Sequence, residues 1–232
     1  MNDRFLEIAT DPRIIPGVHH SCDEWCDYCP VTNRCLAFLC SDELRRQRGR
    51  PRGTPFTSID EAVAFTRDLA AIEGTPTGAL DRRLPYRPEE SAIRTADPLV
   101  LLAWEYAERI AVAFAPALPN VCGAPRQSGP KPEEVVLWYH LRIYMRLFRA
   151  LVGTERTRLR SRANVEEVVG SAKLALVSVQ RSRRALQSLR TAANTNDIAE
   201  LVSVLDTLER GIDERVPDAR SFVRLGLDVP VA

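Results

Sequence analysis

The chain reads as an all-α protein: an antiparallel helical bundle with a cysteine-rich, metal-binding loop near its start. Three observations predict this. Only 11 of the 232 residues are Gly and only 6% are aromatic, while Ala, Leu, Arg and Glu abound, which favours helix over sheet. Long segments carry apolar residues at helical spacing, bounded by recognisable caps and prolines. Four cysteines, Cys22, Cys26, Cys29 and Cys35, fall within fourteen residues, a density that packing does not require.

The elements follow in order. After the cysteines, Arg34 to Arg45 forms a short helix stopped by Gly49, Pro51 and Gly53. Residues 57–73 open with Ser58 and Glu61, a capping-box spacing, and close at Gly74. Asp97 followed by Pro98 is an N-cap with proline at the first helical position, starting a helix to about Ala115. The prolines between 116 and 130 then enforce a loop. Pro132 to Val152, with Glu133 and Glu134 in its first turn, is the strongest helix signal. A helix from Val165 to Thr191 has Asn164 as its expected cap, and a last one runs from about Asn196 to Arg215, before Pro217. Long helices joined by moderate loops pack antiparallel, and the segment Pro217–Asp228 is expected to cap or strap the bundle end. The organisation expected is residues 1–56 as a cysteine loop with a basic linker and residues 57–232 as the bundle.

Composition bounds the rest. The net charge of +1, with 27% charged residues, provides no global field toward nucleic acid or membrane. No stretch has the ~18 consecutive apolar residues of a membrane span, and the first residues are too acidic for a secretory signal. A cytoplasmic location is therefore expected, where clustered thiols stay reduced and favour metal over disulfide.

The spacing C-x3-C-x2-C-x5-C puts four soft thiolate donors on one continuous loop. Structural zinc more often uses two separated pairs, whereas iron–sulfur clusters are commonly held by such continuous runs, so a [4Fe–4S] cluster is favoured and zinc is the alternative. His19 and His20 are candidate substitute donors if one cysteine is not a ligand, and otherwise polar loop residues. Cys40 is read as a buried apolar thiol and Cys122 as unrelated. Trp25, Tyr28 and Phe38 are expected either to shield the centre from water or to be ordinary core.

The run from Cys26 through Cys29-Pro30 to Cys35 resembles the end of the [4Fe–4S] loop of endonuclease III and MutY-type DNA glycosylases. It departs from them in its first gap, three residues instead of six, and their catalytic pattern is absent. Cys22, Cys26 and Cys29 with Tyr28 also match the radical S-adenosylmethionine signature, but that family needs a β/α barrel. The motif is similar, too, to one in uncharacterised helical bacterial proteins, a resemblance that implies no activity.

Two further features compete for a role. Arg48-Gly49-Arg50-Pro51, followed by Arg52, resembles the core of an AT-hook, which would make the basic segment a minor-groove contact and the protein nucleic-acid-associated. A solvated linker is the plainer account. His140 falls on the apolar phase of its helix with Leu137, Tyr144 and Leu147, so it is expected to face the bundle interior, as a hydrogen-bonded core histidine or as part of an enzyme site. Arg183 shares the apolar phase of its own helix and is expected to pair with a buried acid or carbonyl. The primary reading is a metal-binding protein with a structural or redox-sensing role; a protein partner or self-association stays open.

Overall fold

The computed structural model describes residues 3–50, 59–72, 96–114, 129–157, 162–190 and 195–229. These are all-helical: seven α-helices and several short 3-10 turns, with no strand among the described residues beyond a single bridge between Leu225 and Val229. None of the described helices is long and apolar enough to cross a membrane. The chain divides into two compact units. The first holds described residues 3–50, 59–72 and 224–229; the second holds 96–114, 129–157, 162–190 and 195–223.

In the first unit, α1 (Asp3–Ala9), α2 (Leu36–Gln47) and α3 (Ile59–Ile72) surround a small apolar cluster of Phe5, Cys40, Leu44 and Phe65. Helix α2 starts two residues later than the sequence suggests, because residues 32–34 close a 3-10 turn first. The sequence division at residue 57 groups α3 with the long helices, yet α3 packs on α2 in this unit. Its amphipathic pattern says which face is buried and is silent on the partner.

The second unit contains α4 (Pro98–Ala113), α5 (Pro132–Thr157), α6 (Arg162–Ser188) and α7 (Thr195–Arg215). The expected cap of α4 is present: the Asp97 carboxylate accepts the Leu99 and Val100 amides at 2.9 and 3.3 Å, ahead of Pro98. Helix α6 begins at Arg162, so Asn164 lies inside its first turn and is not the cap. Helices α4–α7 share one core in which Tyr106, Ile143, Leu147, Leu186, Leu205 and Ile212 are fully or almost fully buried.

The pairings follow from named contacts. Arg149 of α5 holds Glu167 of α6 at 2.7 Å, and Gly153 lies against Val168, while Tyr139 earlier in α5 meets Arg181 later in α6. These two helices therefore run in opposite directions. Arg183 of α6 pairs with Asp206 at 2.8 Å and with Glu209, both on α7, as the expected partner of an arginine on the apolar phase. Arg220, after α7, grips Asp213 and Glu209 at 2.6 and 2.9 Å, and its carbonyl accepts Lys173 at 2.9 Å.

Candidate metal centre

The four motif cysteines lie in the first unit, on the chain between α1 and α2. That chain runs as three successive 3-10 turns, Val18–Ser21, Cys26–Tyr28 and Thr32–Arg34. Its neck is closed by two hydrogen bonds that no sequence feature announces: the Ile15 amide donates to the Arg34 carbonyl at 2.9 Å, and Arg34 Nε donates back to the Arg13 carbonyl at 2.9 Å. Residues 16–33 thus form a compact loop whose ends are pinned together. Gly17 enters the first turn with φ +68°, a left-handed conformation glycine adopts without steric cost. Glu24 adopts φ +59° between the first two cysteines, where a non-glycine residue costs about 1 kcal/mol.

Burial increases toward the end of the loop. Cys22, Cys26 and Cys29 are half-buried and Cys35 is buried. None of them forms a disulfide with another described cysteine. The Cys22 Sγ sits 3.3 Å from the His19 carbonyl and accepts the Glu24 amide at 3.4 Å. Burial pushes the Cys22 thiol up to about 11; the Glu24 amide opposes this, and the neighbouring Asp23 and Cys35 add to it. The Cys35 side chain does not cap α2 and instead packs with Ile15 and Val18.

The donor chemistry suits a thiophilic metal: four sulfurs on one pinned loop, and an amide already aimed at one sulfur. The sulfurs are not gathered into one shell in this structure. Among the described residues no three His, Cys, Asp or Glu groups stand close enough to share an ion. Trp25 is buried and meets Tyr28 edge-on at 4.9 Å between ring centroids.

His19 and His20 stack on each other with centroids 3.9 Å apart. Burial, with the charge of His20, lowers the His19 pKa, and its Nδ1 is buried with no hydrogen-bond partner among the described residues. Both rings line a pocket of about 560 Å³ with Ala9, Asp11, Ile14 and Leu36. Cys40 lies apart, 1% exposed among Phe5, Leu44 and Phe65, the apolar thiol expected of it. Cys122 lies outside the described residues.

The basic segment is placed differently from a free arm. Arg48 pairs with Asp68 and Arg50 with Glu61, both acids on α3. Arg45 and Arg48 also stand 5.0 and 5.5 Å from the centre of the Phe65 ring. Glu61, Phe65 and Asp68 share one face of α3 at spacings of four and three, so α3 carries a matched acidic and aromatic stripe that the sequence already contained. Arg52 lies outside the described residues. His140 is half-buried, and its Nδ1 lies against the Leu137 carbonyl of its own helix. Burial lowers its pKa, while that contact works the other way.

Compared with known proteins, the chain matches no family model, no curated protein and no solved structure.

Proposed function

We propose that this is a metal-binding protein whose Cys22, Cys26, Cys29 and Cys35 hold a [4Fe–4S] cluster, with zinc as the alternative occupant, in a structural or redox-sensing role. The observation that carries the reading is the loop itself: four thiols on one stretch, with its ends pinned by Ile15 and Arg34. Pinning the ends before any ion arrives reduces the loop entropy that binding must overcome. A bound cluster would supply one-electron transfer; zinc would supply only a crosslink.

The chain's own residues have separable tasks. The Glu24 amide, held by that residue's left-handed backbone, donates to Cys22 Sγ and so favours its thiolate form. Trp25 and Tyr28 exclude water from the middle of the loop. The second unit, proposed as an antiparallel bundle, would be the part that a change at the cluster regulates or that a partner binds.

The test is metal analysis of protein purified without oxygen. The expected result is brown protein carrying four iron and four sulfide per chain. Colourless protein with one zinc per chain would replace the cluster by the crosslink, and metal-free protein that takes up neither would overturn the reading.

A further inference from the structure

Residues 224–229 are more than 180 positions beyond the cysteines in sequence, yet they belong to the same unit. They form a turn complete in itself. The Leu227 and Asp228 amides donate to the Arg224 carbonyl at 3.0 and 2.8 Å, and the Gly226 amide donates to the Val229 carbonyl at 2.9 Å. The Asp228 carboxylate takes the Arg224 amide at 3.0 Å and its guanidinium at 2.6 Å. Arg224 is buried, so this turn is a stiff piece and not a trailing end.

One side of the turn is fitted to the cysteine loop. Leu227 packs against the cluster of Ile15, Val18 and Cys35. Gly226 has φ +79°, and a Cβ there would come within 2.8 Å of Ile15 Cδ1 and 3.6 Å of Val18 Cγ2. Only glycine both takes that backbone and lets the turn approach so closely. The other side faces water, with Leu225 59% exposed.

We infer that the Arg224–Val229 turn is the back wall of the cysteine loop, with Leu227 and Gly226 as positioning residues that hold Cys35 buried. In the proposed metal site, on which this assignment rests for its purpose, the turn sets how readily the fourth ligand is released. Ile15 carries the effect twice, since its side chain meets the turn and its amide pins the loop neck.

The experiment uses the full chain and a maleimide pulse, with each cysteine read separately by peptide mass. In reduced, metal-free protein, Leu227→Ala is expected to raise Cys35 labelling about tenfold, the ~1.4 kcal/mol that follows from removing part of a half-buried Leu side chain. Cys40, in its own cluster, should keep its wild-type rate, and the exposed control Leu225→Ala should change neither. In metal-loaded protein, Leu227→Ala should release metal to a chelator faster by a similar factor. If Leu227→Ala loses its helical circular dichroism, Gly226→Ala replaces it; its effect on Cys35 should be partly relieved by Ile15→Val, which deletes the clashing Cδ1. Equal acceleration of Cys35 and Cys40, or no acceleration, would overturn the assignment. If the wild-type chain takes up no metal, the metal reading fails, while the labelling still reports whether the turn covers Cys35.

Discussion

Cys35 and Cys40 make the most direct comparison, because they match in packing and differ in assigned chemistry. Cys40 is 1% exposed beside Phe5, Leu44 and Phe65, and Cys35 is 8% exposed beside Ile15 and Val18. Serine at either position puts a hydroxyl where an apolar thiol packed, at about 1–3 kcal/mol. On metal-free protein, urea melts of the two variants should therefore fall below wild type by similar amounts. Metal content should separate them. Cys40→Ser should keep the full wild-type complement, whereas Cys35→Ser loses one of four thiolates and should lose more than the about 10–100-fold in affinity typical of outer-shell changes. Iron, sulfide and zinc per chain, measured on anaerobically purified protein, provide the readout. Full metal in Cys35→Ser, or equal loss in both variants, would refute the ligand assignment and leave Cys35 as ordinary core.

Two predictions concern the second unit. A Cβ at Gly153 would lie 2.4 Å from Val168 Cγ2, well inside a normal carbon contact, and a β-branched side chain on a helix cannot swing away. Gly153→Ala should destabilise by about 1 kcal/mol, overpacking outweighing the gain in helix propensity, and should become stabilising in a Val168→Ala background; calorimetry of the four variants tests that change of sign. Burial alone would raise the pKa of Glu209, but hydrogen bonds from Gln180, Arg220 and Arg183 outweigh it and hold the carboxyl below its ordinary value. A depressed acid stabilises the fold above its unfolded pKa and loses that contribution as pH falls through the folded value. Glu209→Gln should therefore cost about 1 kcal/mol at neutral pH and flatten the acid side of the stability curve below about pH 4.3.

What was legible in the sequence had local causes. The Asp97-Pro98 start of α4 depends on one side chain and one fixed φ, both written at the helix end. The pairing of Arg183 was foreseeable from its phase, since a cation among apolar positions must find an acid, and Asp206 and Glu209 supply it. The burial of Cys40 likewise followed from an apolar helix face. His140 was legible only in part: its phase is inward, but the ring is half-buried and tied to its own helix.

What was not legible depends on distance along the chain. The strap expected from Pro217–Asp228 splits, with residues up to 223 in the second unit and the Arg224–Val229 turn in the first. Periodicity cannot report such a split, because the turn's fit is to Ile15 and Val18 and shows in sequence only as an isolated Gly226. The basic segment shows the same limit: the partners of Arg48 and Arg50, which are Glu61, Phe65 and Asp68, stand at helical spacing on α3, and the arginine run by itself does not name them.

A run of four thiols is sufficient to name a class of ligand, since donor softness is a property of residue type. Holding those thiols requires groups other than the thiols: Arg34 and Ile15 at the neck, Glu24 in a left-handed turn, and Leu227 against the cluster of Ile15, Val18 and Cys35. Three of these act through backbone atoms or an apolar contact, so they leave no chemical signature in a motif. Cys22 is governed first by its own burial and then by the Glu24 amide; Cys35 packs with Ile15 and Val18, against which a turn nearly two hundred residues away also packs. In the proposed site, a substitution at residue 227 would therefore change how long metal stays without altering any donor.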